Sequence, residues 1–255
     1  MSRGAGTPAA ADAVLVEACV DSVASALAAA RGGAGRLELC AALHDAGTTP
    51  SAGAIAAATA AVGIPVFVLV RPRGGGFVHD DEELDVMRRD VRAARELGAA
   101  GVVAGALRRD GRVDADATAR LVEAAGPLPV TFHRAVDLAP DLAEALETLA
   151  SLGVRRVLTA GGAPTALEGA DALAALVRQA GDRVAILAGG SIREAHAAEL
   201  VRRTGVRELH VRLASARRTG AERALRLRKA LPADEDAWDE TDEGRVGAFV
   251  GSVNP

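Results

Sequence analysis

"DEELDVMRRDVRAARELGAAGVVAGAL", residues 81 to 107, carries the unit from which the fold is read. Leu84, Met87, Val91, Ala94 and Leu97 recur at three- and four-residue steps, so they share one face of a helix whose other faces are charged. Gly98 then supplies a residue free to adopt the left-handed conformation that ends helices, and GVVAGAL is a short apolar run of the kind that makes a buried strand. Outward from this stretch, the same order of apolar run, amphipathic segment and glycine recurs. Eight runs read as strands, at 14–19, 36–41, 66–71, 101–107, 130–134, 156–160, 184–188 and 208–213. Gly32, Gly63, Gly98, Gly126, Gly153, Gly181 and Gly205 stand where the intervening helices should end in a left-handed residue.

Strands that alternate with helices imply a parallel sheet, and eight such units in 255 residues match a closed barrel. An open doubly wound sheet is the rival, but no G-x-G-x-x-G follows the first strand, and no nucleotide cofactor is expected. The expected fold class is therefore α/β, a TIM-like (β/α)8 barrel in a single domain. Residues 1–12 read as a flexible N-terminal arm, 13–231 as the barrel, and 232–255 as an acidic linker with a short C-terminal segment.

Composition narrows the function classes. The net charge is -4 with 49% apolar residues, and no basic stretch is interleaved with aromatics, which argues against a nucleic-acid partner. The start lacks a secretory pattern, and the longest uncharged run, 46–70, is broken by prolines and glycines, so no membrane partner and a cytoplasmic location are expected. There the two cysteines, Cys19 and Cys40, should be reduced, leaving packing, metal binding or thiol chemistry. The one lysine, Lys229, lies in a late amphipathic segment, which excludes a Schiff-base lysine on a core strand.

Strand alternation selects the side chains that line the barrel. The outward set must be apolar because it lies under helices. Val14, Val16 and Ala18 form such a set, as do Leu37, Leu39 and Ala41, which turns Glu17, Cys19, Glu38 and Cys40 inward. By the same test Arg71, Thr131, His133, Thr159, His210 and Arg212 face in, several at the carboxyl ends of strands where barrel active sites are built. A glutamate–arginine pair between Glu17 or Glu38 and Arg71 could also be purely structural. The repeated Glu-x-Cys places both thiols at similar depth on one wall if the strands are neighbours, a geometry suited to soft Cu(I). Among loops, "RPRGGGFVHDD" reads either as a lid carrying Arg73 and His79 or as a solvated surface loop, while "AGGSIRE" offers the backbone of Gly189, Gly190 and Ser191 for an anion, with Arg193 beside them, and the "TAGG" turn of Thr159 and Gly161 is a weaker such site.

"VEACVDS", "RLELC", "TTPS", "PVFVLVRPRGGGF", "LGAAGVVAGAL", "DGRVD", "PLPVTFHRAVD", "RVLTAGG", "ALEG" and "AGGSIRE" follow one another as in the CutC copper-homeostasis family, which the chain resembles over about residues 14–216. The resemblance implies a TIM-like barrel, a cytoplasmic homo-oligomer (dimer or tetramer), and Cys19 and Cys40 as the Cu(I) ligands. It carries over His133, Arg134 and Asp137 from "FHRAVD", and Arg71 and Arg73 from "RPR". The chain departs from the family pattern at Ala160, at Ser191 and in "LHVRLASARR", where a short His-x-Ser-Ala-Arg is expected.

Two functions follow as expectations. One is Cu(I) binding at Cys19 and Cys40, without any need for catalysis. The alternative is an enzyme acting on a small anionic metabolite, phosphorylated or carboxylated. There Glu17 or Glu38 is the acid or base, His133 its partner and Asp137 a further catalytic residue, while Arg71, Arg73, Arg134, Thr159, Gly161, Gly189, Gly190, Arg193 and His210 hold the anion. A scaffold without ligand is the third and least attractive reading.

Overall fold

The computed structural model describes residues 13–218 and 237–255. The expected N-terminal arm, the end of the expected barrel segment and the first part of the expected linker lie outside these residues. Eight parallel strands close in sequence order: β1 (Leu15–Val20), β2 (Arg36–Leu39), β3 (Val66–Leu69), β4 (Gly101–Ala104), β5 (Val130–Phe132), β6 (Arg156–Thr159), β7 (Ala185–Gly189) and β8 (Glu208–Val211), with β8 pairing back onto β1. The helices are α1 (Val23–Arg31), α2 (Ala52–Ala61), α3 (Asp81–Glu96), α4 (Ala115–Ala125), α5 (Leu142–Ser151), α6 (Ala170–Ala180), α7 (Glu194–Thr204) and α8 (Glu243–Val253). The TIM-like barrel is therefore the fold.

Local chemistry explains the elements. In α3 the expected stripe of Leu84, Met87, Val91 and Ala94 is buried, and the helix starts with a reciprocal cap between Asp80 and Glu83. Gly98, Gly126, Gly153, Gly181 and Gly205 take positive φ as expected, but Gly32 and Gly63 do not. Gly32 has φ -71 and is small for another reason: a Cβ there would lie 2.6 Å from the Cβ of Val246 on α8. Several strands end earlier than their apolar runs, because the chain leaves the ladder at Ala41 and Leu107 to make isolated bridges with Thr48 and Val113.

Alternation divides the apolar residues into two layers. Val14, Val16, Ala18, Leu37, Leu39, Val66, Val68, Val130 and Phe132 belong to the large core beneath the helices, whereas Cys19, Cys40, Phe67, Leu69 and Val103 form a separate cluster inside the barrel. Strand six departs from expectation. Val157 lies in the outer core, and Thr159, on the same side of the strand, gives its hydroxyl to Asp137 outside the barrel lining, while Arg156 packs inside over the Phe67 ring.

The chain end completes the shell. Ala237–Thr241, within the stretch that reads as an acidic linker, forms β10, antiparallel to β9 (Ala214–Arg218) and carrying Trp238 opposite Arg217. α8 packs against α1 and α7, burying Val246 and Phe249. Beyond it Asn254 bonds both the amide and the carbonyl of Val14, at 2.7 and 3.0 Å, as a neighbouring strand would. Among the described residues no helix is long and apolar enough to cross a membrane.

Candidate functional site

The seam where β1 meets β2 and β8 gathers the polar interior. Register sets Glu17 opposite Arg36 on one side and opposite His210 on the other, and sets Cys19 opposite Glu38. Glu17, fully buried, accepts from Arg36 Nε and lies 2.8 Å from His210 Nδ1. The other imidazole nitrogen of His210 lies 3.6 Å from Glu38 Oε2. Cys40 Sγ donates to the same Glu38 oxygen at 3.5 Å, and Cys19 Sγ is 3.8 Å from Cys40 Sγ. Donor atoms of Cys19, Glu38 and Cys40 all lie within 4.8 Å of one another, and all three residues are buried.

Electrostatics divides the protons unequally. Burial opposes charge on Glu17, but the His210 hydrogen bond and the Arg36 charge outweigh it and hold the carboxyl at about 2. Glu38 shares the burial without an arginine, and nearby negative groups reinforce it, so its carboxyl is pushed up to about 8 despite the attraction of His210. For His210 burial is overcome by Glu38, Cys19 and Glu17, and its proton is held well above the ordinary imidazole range. The Cys40 hydrogen bond brings Cys19 down to about 5 against its burial, and the same bond pushes the donor thiol of Cys40 up. One thiol is thus ready to be a thiolate, with an imidazolium beside it.

A second network underlies this one. Arg36 bridges Glu17 and Glu208, Arg156 also binds Glu208, and both guanidinium groups lie over the Phe67 ring at 5.1 and 5.4 Å. Arg36, Arg156 and Glu208 do not appear among the sequence candidates, although Arg36 lies two residues before Glu38 and shares its inward parity.

Other sequence candidates lie elsewhere. Arg71 pairs with neither Glu17 nor Glu38. Its guanidinium donates to the carbonyls of Asp45, Gly47 and Gly75 and stacks on Phe77. His133 packs against Phe77 with ring centroids 4.9 Å apart, so the imidazole beside the glutamates is that of His210 and not His133. Arg73 binds Glu83 and the loop carbonyls of Gly76 and Val78, and His79 also reaches Glu83. Arg212 reaches the exposed rim and meets Asp239 at 3.3 Å.

The expected anion turn after β6 is filled internally. Asp137 fills the turn after β6, accepting from the Thr159 hydroxyl and from the amides of Ala160 and Gly162, with Arg134 Nε at 2.8 Å on its other oxygen. Gly161 donates to the Thr159 hydroxyl. After β7, a Cβ on Gly189 would strike Leu158 at 2.6 Å, and one on Gly190 would come within 3.1 Å of the Ala160 Cβ, so both positions require close packing. Ser191 takes φ +54 where the resembled family has glycine, and Arg193 donates to the Ile192 carbonyl.

Comparison with known proteins agrees with the sequence resemblance. The profile of the CutC family matches residues 14–215. A CutC family protein of Caulobacter vibrioides is 52% identical over 197 residues, 77% of this chain and 80% of that one. The copper homeostasis protein cutC homolog of Homo sapiens is 46% identical over 215 residues, 84% of this chain and 79% of that one. The crystal structure of CutC from Streptococcus agalactiae superposes with a TM-score of 0.74 at 34% identity, covering 77% of this chain and 97% of that one. From the barrel, the paired thiols and these matches together, the chain belongs to the CutC family.

Proposed function

We propose that the chain binds Cu(I) at Cys19 and Cys40 and serves copper homeostasis, as the names of its human and mouse relatives say of those proteins. The observation that carries this reading is the 3.8 Å separation of the two sulfurs. Two metal–thiolate bonds of about 2.3 Å span at most roughly 4.6 Å, so one ion reaches both sulfurs. Thiolates suit a soft monovalent ion, and the apolar wall of Phe67, Leu69 and Val103 around them keeps competing water away. Glu38 supports the reading as a third donor, an oxygen beside the two sulfurs.

Metal-free protein in reductant, titrated with Cu(I) against a chromogenic chelator, should take up one ion per chain. The Cys19→Ser/Cys40→Ser double variant should take up none. Unchanged stoichiometry in that variant defeats the proposal. Location in the cytoplasm and assembly as a dimer or tetramer belong to the same reading, and cell fractionation and light scattering test them.

A further inference from the structure

At the carboxyl end of β3, with Gly47 between it and Cys40, lies a positive charge without a counter-ion among the described residues. Arg71 is 4% exposed, and among the described residues no carboxylate pairs with it; Arg36 and Arg156, the other guanidinium groups in the interior, both hold Glu208. Three neutral carbonyls take three of its four Nη hydrogens, and its Nε is buried without a partner. Asp45 contributes attraction, but its carboxylate is directed to His44, at 3.4 Å. A buried charge held only by dipoles and an aromatic face is costly unless an anion completes it.

The Phe77 ring against which Arg71 stacks also packs on His133, which is 6% exposed. His133 Nδ1 accepts from the Ala135 amide, so in the neutral ring the hydrogen sits on Nε2, and that atom too is buried without a partner. Burial, aided by the charges of Arg71 and His79, holds this imidazole at about 3, so it stays neutral and donates. Two unused N–H donors and one uncompensated positive charge thus share the Phe77 wall.

We propose that Arg71 and His133, walled by Phe77, form the seat of a small carboxylate monoanion, distinct from the thiol pair. The donor count selects the class. One carboxylate offers two oxygens and a single charge, whereas a phosphate brings further oxygens and charge that the two donors leave unmatched. The loop at 73–79 supplies both the Phe77 wall and the Gly75 carbonyl that Arg71 holds. This seat goes beyond the copper reading and needs neither cysteine.

The test is titration of the full metal-free chain, at constant ionic strength, with acetate, lactate and inorganic phosphate, read by calorimetry and by thermal shift. Saturable binding of acetate or lactate is expected, weakened tenfold or more in Arg71→Gln and His133→Asn, from loss of one hydrogen bond to a charged group. Arg71→Lys keeps the charge without the Nε–H and should fall between the two. Arg183→Gln, which breaks a surface pair with Glu147, should bind as the parent does. If Arg71→Gln fails to fold, His133→Asn alone decides. Absence of saturable carboxylate binding, phosphate binding in preference, or binding that these variants leave unchanged overturns the proposal. Binding retained in the Cys19→Ser/Cys40→Ser variant separates its fate from that of the copper site.

Discussion

Replacing Glu38 with glutamine should make the metal-free protein more stable while weakening its hold on copper. Glu38 is 5% exposed, and burial with its negative neighbours pushes its carboxyl up to about 8, against 4.5 for an ordinary glutamate. Between these values the unfolded chain has released a proton that the folded chain retains. The folded pKa is the raised one, so the stability associated with this group is fully present below pH 4.5 and declines as pH rises toward 8. Each pH unit in that window costs about 1.4 kcal/mol, so at pH 7 the penalty is roughly 3 kcal/mol. Glutamine has the shape of the protonated carboxyl and nothing to ionise, so Glu38→Gln should remove the penalty. Urea unfolding of both proteins in reductant, followed by circular dichroism at several pH values from 4.5 to 8, measures the gap. The curves should coincide at the acid end and separate with rising pH in favour of the variant. A variant of equal or lower stability at pH 7, or a gap that does not widen with pH, refutes the reasoning.

Three further outcomes follow from the packing. Asp137→Ala removes the carboxylate that satisfies the Thr159 hydroxyl, two backbone amides and Arg134, and should cost roughly 3 kcal/mol, lowering Tm by about 6–12 °C in a calorimetric scan; an unchanged Tm means that the turn does not depend on its internal anion. Gly169→Ala places a Cβ 1.8 Å from the Ala160 carbonyl oxygen and should destabilise by more than about 3 kcal/mol, whereas Gly53→Ala, on α2 with only the Ser51 hydroxyl near, should stabilise by about 0.5–1 kcal/mol in urea unfolding.

Much of the barrel was legible because two periods are visible in the sequence, the helical stripe of α3 and the alternation of β1 and β2. The inward set of Glu17, Cys19, Glu38 and Cys40 follows from parity alone. Which side chains meet does not, because partnership depends on register between strands far apart in the chain. His133 and His210 both have inward parity, but only the closure of β8 on β1 brings one of them beside Glu17. Arg71 illustrates a second limit. Parity points it inward, but the carbonyls that hold it come from a loop whose path is set by the left-handed residues Ala42, Ala46 and Gly47, and no periodicity marks these. The "TAGG" turn resembles an anion loop because its amides do bind an anion, the carboxylate of Asp137, and the requirement for close backbone approach is the same whether that anion is a ligand or a side chain.

The seam between β1 and β8 also sets the order in which the site is assembled. Cys19, Glu38 and Cys40 belong to two consecutive strands and can come together as soon as that hairpin-sized stretch docks on itself through α1. His210 is contributed by the last barrel strand, and the Asn254 clasp on Val14 lies further still along the chain. During synthesis both sulfurs are therefore made long before the imidazole that joins Cys40 in favouring the Cys19 thiolate. A nascent or truncated chain carries the sulfurs but not the charge of that imidazole, which arrives only when the last strand closes the ring on β1.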